Sequence, residues 1–184
     1  MKVLVGISGG VDSALSAYLL KKRGCEVSGA TLVLHDCVKT EVEDAEKICA
    51  ALGIKHFVFE FKRHFEEIVI SDFINGYISA KTPNPCIICN ENIKFGLLLD
   101  KAAELGFDKI ATGHYANIEQ EEGFFQLKKG ADIQKDQSYV LYRLGQKQLA
   151  RILFPLGKMT KEQVRKTAQE AMLPSAERQE SQEN

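Results

Sequence analysis

The sequence lacks both an excess of charge and a long apolar segment. Its 184 residues carry a formal net charge of −1, so overall electrostatic attraction to nucleic acid is not expected and any RNA contact must come from a local patch. No apolar run reaches the length of a membrane span, and the first residues do not form a secretory signal. We therefore expect a cytoplasmic protein that has neither a membrane nor DNA as a partner.

Cysteine is present in an odd number, and no secretory context accompanies it. Five cysteines in such a chain argue against a disulfide scaffold, and they favour redox or metal chemistry for any closely spaced pair. The chain also shows no internal repeat. With 45% hydrophobic residues, its length is enough for one domain with a sizeable core.

The most informative stretch lies near the amino end, where an apolar strand runs into Ser-Gly-Gly-Val-Asp-Ser at positions 8–13. The adjacent Gly9 and Gly10 allow a tight turn and a close approach of the backbone to a ligand. The following helix, predicted to open at Val11 and to end at Gly24, directs its first N–H groups at that ligand, which favours an anion. The pattern indicates a phosphate-binding loop.

The loop also offers side chains that suit a nucleotide. Ser8 and Ser13 can donate to phosphate oxygens, and Asp12 can help to hold a Mg²⁺ that the phosphates bring. The spacing fits neither G-x-G-x-x-G nor the Walker loop with its Lys-Ser/Thr pair. It matches the signature of the PP-loop ATP pyrophosphatases, which split ATP between the α and β phosphates.

Apolar segments further along the chain alternate between strand and helix patterns. We predict strands over residues 26–34, 56–61 and 109–112, and helices opened by the capping box Thr40 to Glu43, spanning 65–77 and following residue 90. This alternation predicts an α/β fold, a Rossmann-like parallel sheet with helices on both faces, whose ligands gather at the carboxyl ends of the strands. Ser8, Gly113 and His114 leave strands at that edge.

The pattern changes after residue 115. A hairpin is predicted over residues 117–129, followed by short helical segments and a last helix capped by Thr160 and Gln163. We therefore divide the chain into a nucleotide-binding part, residues 1–115, and a hairpin and helical extension, residues 116–184, that is continuous with the same domain.

Cys86 and Cys89 are separated by two residues just ahead of a predicted helix. Helix N–H groups beside a thiol favour its thiolate, which is a nucleophile or a metal ligand. Three interpretations are open: a sulfur-handling or redox pair, two ligands of an iron-sulfur cluster completed by a cysteine from elsewhere, or two incidental loop cysteines. Cys25 and Cys49 look like packing residues, and Cys37 is undecided.

Two further features are compatible with RNA. His114 can donate to a phosphate or to RNA, or it can simply cap its loop. A basic and aromatic stripe suits an RNA backbone, although a solvated helix face explains it equally well. Its members are Lys135, Tyr139, Tyr142, Arg143, Lys147 and Arg151.

The order of short motifs resembles that of the tRNA-specific 2-thiouridylase family over essentially the entire chain. The motifs are the loop ending at Ser13, Thr82 to Asn90, Ile93 to Phe95, Thr112 to Tyr115, Lys135 to Tyr139 and Leu153 to Gly157. The resemblance implies an enzyme that adenylates the 2-carbonyl oxygen of the wobble uridine in tRNA. A persulfide-donating sulfur carrier protein then supplies sulfur, and AMP leaves.

The resemblance also implies roles for individual residues. ATP would be bound by Gly6, Ile7, Ser8, Gly9, Gly10, Val11, Asp12 and Ser13, with Leu32 and Gly113 near the nucleotide. Cys89 would be the first catalytic cysteine, with Cys86 beside it. The tRNA would be contacted by Asn84, Pro85, Cys86, His114, Lys135, Asp136 and Gln137.

Two departures from the family pattern carry expectations of their own. Many members have an aspartate where Cys86 stands, and a cysteine there favours a metal or disulfide role, with a [4Fe-4S] cluster as one candidate. The family's second cysteine would follow Asn184. We therefore expect this chain to correspond to the N-terminal catalytic part, which binds ATP with Mg²⁺ but does not complete sulfur transfer.

Two other functions compete with this hypothesis. One is a different PP-loop enzyme, such as a tRNA 4-thiouridine synthase or an amide-forming ligase. The other is a non-catalytic iron-sulfur or RNA-binding module.

Overall fold

The computed structural model describes residues 1–36 and 39–176, with only the backbone described at residue 39. The first elements are β1 (Lys2–Gly6), α1 (Val11–Lys22), β2 (Glu26–Val33), α2 (Lys39–Leu52), β3 (Lys55–Glu60), α3 (Lys62–His64), a π-helix (Phe65–Ile70) and α4 (Ser71–Ile78). They are followed by α5 (Pro85–Cys89), a second π-helix (Asn90–Leu97), α6 (Leu98–Glu104), β4 (Lys109–Ala111), β5 (Ala116–Glu121) and β6 (Phe124–Lys129). The last elements are a 3₁₀ turn (Ser138–Val140), α7 (Gln146–Leu149), β7 (Ile152–Leu153) and α8 (Lys161–Glu170).

Five strands form one parallel sheet in the order β3-β2-β1-β4-β7, and β5 and β6 form a separate antiparallel hairpin. The predicted α/β fold is therefore confirmed. The chain moves outward from β1 to β2 and β3, and it then returns to the other side of β1 as β4. Val5 of β1 pairs with Ala111 of β4, so the loops after these two strands leave the same edge, where the strand order reverses and ligands bind in such sheets.

The central strand β1 is buried on both sides, which explains its uninterrupted apolar run. Val3 and Val5 pack against α1, α2 and α8 on one face, whereas Leu4 packs with Phe95 and Leu98 on the other. All five side chains are buried. This packing holds the end of β1, and with it the loop that follows, between two layers of helices.

The structure places the cysteine pair inside a helix, whereas the sequence pattern placed it ahead of one. Helix α5 begins at Pro85 and includes Cys86 and Cys89, and the Asn84 side chain accepts a hydrogen bond from the backbone N–H of Cys86 at 3.0 Å. Proline at the first helical position and asparagine at the N-cap are both favourable. The helix therefore starts several residues earlier than the apolar periodicity indicated.

Other boundaries differ in smaller ways. Helix α2 begins at Lys39, one residue before the predicted N-cap Thr40. The predicted capping box of α8 is present, because Thr160 and Gln163 exchange hydrogen bonds between side chain and backbone at 2.9 and 3.3 Å. Strand β7 was not predicted, since its two residues are too few to show a periodic pattern. Cys37 lies outside the described residues.

Within residues 1–36 and 39–176, no helix combines the length and the apolar character needed to cross a bilayer.

Candidate active site

The loop between β1 and α1 has the tight turn that its glycines predict, but the two glycines differ in role. Gly9 adopts φ +80°, a left-handed conformation that side chains disfavour. Gly10 has φ −86° and ψ 164° and forms the N-cap of α1 without a side-chain cap. Any residue can adopt that conformation, so the backbone angles require glycine at position 9 but not at position 10. The first N–H groups of α1 are consequently left to a ligand.

The two serines of the loop also have different roles. Ser13 is buried, and its Oγ accepts from the N–H of Ser8 at 3.2 Å and donates to the carbonyl of Gly10 at 3.0 Å. Ser13 therefore holds the loop closed on the start of α1. Ser8 is exposed, with its Oγ 3.5 Å from the Oγ of Ser13, so its hydroxyl lies on the outer side of the loop.

Asp12 is contacted by two residues that sequence reasoning did not assign to the site. The Tyr115 hydroxyl donates to Oδ1 of Asp12 at 2.9 Å, and Nζ of Lys161 lies 2.8 Å from each carboxylate oxygen. The Lys161 side chain is 13% exposed, and its Nζ also lies 5.7 Å from the centre of the Tyr115 ring. Lys161 is 149 residues away from Asp12 in the sequence, so no local spacing could have indicated the pair.

Gly113 lies directly against the loop. A Cβ atom at this position would stand 2.9 Å from the carbonyl carbon and the Cβ of Asp12 and 3.1 Å from the N of Ser13. Most of these atoms belong to the backbone and cannot rotate away. The absence of a side chain at Gly113 is therefore what allows the end of β4 to approach the loop.

Leu32 connects this edge of the sheet with the cysteine helix. It lies near the end of β2 and is half-buried. Leu32 packs against the cluster that contains Cys89 and against the neighbouring cluster on which Cys86 packs. The loop after β1, the end of β2 and helix α5 thus share one end of the fold.

The environment of Cys89 opposes the thiolate that the sequence pattern predicted. Cys86 is half-buried and Cys89 is buried, and neither forms a disulfide with another described residue. Burial raises the pKa of the Cys89 thiol, Lys94 opposes this with its positive charge, and the neighbouring Cys86 adds a smaller increase. Desolvation of the charged form is the largest of these effects, so the fold favours the neutral thiol of Cys89.

The described part of the chain contains no group of three or more histidine, cysteine or acidic residues placed to hold a metal ion. Cys86 and Cys89 would supply two ligands of an iron-sulfur cluster, and the other ligands would have to come from outside these residues.

The fold disfavours the protonated form of His114. Its ring packs between Phe95 and Phe154, and Nδ1 lies 2.8 Å from Oγ1 of Thr112. Burial, assisted by the charge of Lys94, lowers the pKa of His114 from 6.5 to about 3. The residue as a whole is half-buried. A contact with RNA would be made by a neutral ring and not by a charged one.

Three residues predicted to contact tRNA lie in the loop over residues 130–138. Two of them, Asp136 and Gln137, have side chains that form hydrogen bonds with backbone N–H groups. Asp136 accepts from the N–H groups of Gly130 and Ser138 at 2.8 and 3.3 Å. The Gln137 side chain accepts from the N–H of Tyr115 at 3.1 Å. Lys135 is exposed. The motif therefore combines one exposed cation with two residues that fix its position relative to Tyr115.

The basic and aromatic stripe is only partly directed at solvent. Arg143 pairs with Glu91 at 3.0 Å, and Arg151 donates to the carbonyl oxygens of Phe107 and Asp108. Tyr139 and Tyr142 are exposed by 54% and 63%. The two arginines thus fasten elements together, while the two tyrosines remain available for stacking.

Comparison with known proteins identifies the family. The chain is 49% identical to the tRNA-specific 2-thiouridylase MnmA of Chloroflexus aggregans and to that of Treponema denticola, and the alignments cover 98% and 100% of this chain. They cover 54% and 53% of those relatives, so the chain spans about half of their length. The fold resembles a predicted subunit of tRNA methyltransferase from Methanocaldococcus jannaschii, with a TM-score of 0.58 and 22% identity over 92% of this chain and 75% of that one. The family model described as the tRNA methyl transferase HUP domain matches residues 1–184, and the chain belongs to that family.

Proposed function

We propose that this chain binds ATP at the loop over residues 6–13 and uses it to activate tRNA for 2-thiouridine synthesis. The observation that carries the proposal is the position of an uncapped helix N-terminus behind the Ser-Gly-Gly turn, where the strand order reverses between β1 and β4. Such a point combines free N–H donors with a crevice between neighbouring loops. Gly113 and Leu32 line the same edge and would lie near the nucleotide.

The reaction follows from the chemistry of a carbonyl oxygen, which is a poor leaving group until it becomes a phosphate ester. The 2-carbonyl oxygen of the wobble uridine attacks the α-phosphorus of ATP, and the bond from that phosphorus to the bridging oxygen breaks. Pyrophosphate leaves with the electron pair, and the uridine loses its N3 proton. The loop N–H groups and the Ser8 hydroxyl stabilise the phosphate charge during this transfer.

Sulfur transfer is the second step, and Cys89 is the proposed catalytic thiol, with Cys86 beside it. The outer sulfur of a persulfide on the carrier protein adds to C2 of the activated uridine, and AMP leaves with the electron pair of the C2–O bond. The Cys89 thiol then attacks the inner sulfur, so that the S–S bond breaks, the uridine keeps the outer sulfur as 2-thiouridine and a disulfide forms between Cys89 and the carrier cysteine. Because burial raises the pKa of Cys89, we infer that the thiol is kept unreactive until tRNA or the carrier rearranges the start of α5. Asn84, Pro85 and Cys86 would face the target base, and Lys135 would contact the phosphate backbone, positioned by Asp136 and Gln137.

The Asp12 carboxylate is the type of ligand that Mg²⁺ takes together with phosphate oxygens and water. Both of its oxygens already contact Nζ of Lys161, so a Mg²⁺ ion would be held here chiefly by phosphate oxygens and water. When bound, the ion would neutralise charge on the triphosphate. An iron-sulfur cluster at Cys86 and Cys89 fits less well, because the described residues bring only these two cysteines together there. No step is assigned to a cluster.

The test is the release of pyrophosphate from ATP on addition of tRNA that has an unmodified wobble uridine. We expect release with this tRNA and none with tRNA that already has 2-thiouridine. Cys89→Ser should retain release, since it leaves the loop intact, and it should lose any thiolated nucleoside that the original protein forms with a persulfide donor. Equal release with both tRNAs, or loss of release in Cys89→Ser, would contradict the proposal. Modification at uridine C4 would instead indicate a 4-thiouridine synthase.

A further inference from the structure

The phosphate loop has no cationic side chain of its own. No lysine or arginine occurs between Lys2 and Lys21, so the loop and the first turns of α1 offer only N–H and hydroxyl groups. The one charged side chain in this stretch, Asp12, is negative. A triphosphate placed beside it would be repelled unless a positive charge stands close by.

The fold brings Lys161 to this position. Its Nζ lies 2.8 Å from both carboxylate oxygens of Asp12. Asp12 is the second residue of α1. The side chain is 13% exposed, so this is a largely enclosed pair and not a pair of mobile surface groups. The ammonium group therefore lies at the edge of the anion site that the uncapped helix creates.

Several contacts hold Lys161 in place before any ligand binds. It is the first residue of α8, directly after the N-cap Thr160 and within the capping box that Thr160 forms with Gln163. Its backbone N–H donates to Oδ2 of Asp132 at 2.9 Å, and its Nζ lies 5.7 Å from the centre of the Tyr115 ring. A cation fixed in this way loses little conformational freedom when it contacts a phosphate.

We propose that Lys161 binds a phosphate oxygen of ATP and stabilises the pyrophosphate as it leaves. The inference rests on the proposed nucleotide site and adds to it the cation that the loop motif lacks. The ammonium donates to an oxygen of the β or γ phosphate and faces the negative charge that develops as the bond from the α-phosphorus to the bridging oxygen breaks. Lys161 also neutralises Asp12, so that the carboxylate does not oppose the binding of the anion.

The test compares Lys161→Gln with Lys166→Gln, which removes the same charge from an exposed position on the same helix. Binding of ATP and of adenosine to each protein is measured by titration calorimetry. In Lys161→Gln we expect the Kd for ATP to rise by about tenfold or more, because a hydrogen bond to a charged group is lost. The Kd for adenosine should change by less than about twofold. Lys166→Gln should leave both values within about twofold of the original protein.

Two further measurements separate phosphate contact from mere support of Asp12. Lys161→Arg keeps the charge and should recover part of the ATP affinity. The slope of log Kd for ATP against log salt concentration should decrease in Lys161→Gln, because one contact between opposite charges, which salt screens, is lost. An unchanged ATP affinity, or equal losses for ATP and adenosine with an unchanged salt slope, would overturn the inference alone. An original protein that binds no ATP would overturn the proposed function and this inference together.

Discussion

At the scale of single residues, the site depends on where side chains are absent as much as on where they are present. Gly113 lets the end of β4 touch the backbone of the phosphate loop, and Gly9 lets that loop turn. The sequence motif indicated that these glycines belong to the site. It did not indicate why each glycine is needed. At Gly113 a side chain would prevent the contact between two loops, whereas at Gly9 the backbone angles disfavour a side chain.

We expect Gly113→Ala to destabilise the protein by about 1–3 kcal/mol, because the added Cβ would collide with backbone atoms of Asp12 and Ser13. Displacement of the loop should also weaken ATP binding. Urea unfolding and calorimetric titration measure the two effects. Gly145→Ala is the control. Apart from its two chain neighbours, the added Cβ would meet no atom nearer than Oε1 of Gln148 at 3.9 Å, so the change should cost less than about 1 kcal/mol.

The buried histidine gives a prediction about pH. Because the pKa of His114 falls from 6.5 to about 3 on folding, the unfolded chain binds more protons than the folded chain between these values. Stability is therefore full above about pH 6.5 and is lost as the pH falls. Between pH 7 and 4.5, His114 should account for about 1–3 kcal/mol of that loss.

His114→Asn provides the comparison for this pH effect, since it removes the titrating ring and keeps a polar atom for Thr112. Urea unfolding at several pH values should show a shallower loss of stability in the variant. His56, whose pKa is also lowered by burial, is present in both proteins and does not affect the difference. Parallel pH profiles would contradict the assignment.

At the scale of secondary structure elements, α8 is the clearest case in which local sequence determined a feature of the site. Its capping box was predicted and is present, and it fixes the residue at which the helix begins. The helix begins at Lys161, directly after the N-cap Thr160, so the cap also fixes where the ammonium group emerges. A change at the cap should consequently affect both stability and the nucleotide site.

We expect Thr160→Ala to lower the free energy of unfolding by about 1 kcal/mol, the usual loss for an N-cap hydroxyl. It should also raise the Kd for ATP, because the first turn of α8 is no longer held. Thr160→Ser retains the hydroxyl and should resemble the original protein in both measurements. Loss of stability with unchanged ATP affinity would show that the cap does not position Lys161.

Helix α5 shows the opposite case. Apolar periodicity placed the start of the helix after Cys89, whereas the structure begins it at Pro85. Asn84 and Pro85 are favourable start residues, but Pro83 and Pro85 lie so close together that the segment resembled a loop. The error matters chemically, since it placed the thiols beside the helix start and missed the burial that raises the pKa of Cys89.

At the scale of the whole molecule, nearly balanced charge means that any affinity for RNA is local. The loop over residues 130–138 presents Lys135 to solvent and is joined to Tyr115 through Gln137. Tyr115 in turn contacts Asp12 of the phosphate loop. A short chain of hydrogen bonds therefore connects the proposed tRNA contact with the proposed nucleotide site.

We expect Lys135→Gln to weaken tRNA binding and to reduce the slope of log affinity against log salt concentration by about one, as expected for one lost phosphate contact. Lys2→Gln is the matched control, because Lys2 lies at the amino end of β1, on the opposite edge of the sheet. Filter binding at several salt concentrations measures both. Equal slopes for the two variants would place the RNA contact elsewhere.

The sequence by itself determined the alternation of strands and helices, the parallel sheet, the glycine turn after β1 and the family. Each of these depends on short segments whose periodicity or spacing can be recognised without knowing which residues are neighbours in the folded protein. Tertiary structure alone decided that Lys161 neutralises Asp12, that Tyr115 joins them, and that Cys89 and His114 are neutral. The physical reason is that charge pairing and desolvation depend on distances between groups far apart in the chain, and folding alone sets those distances.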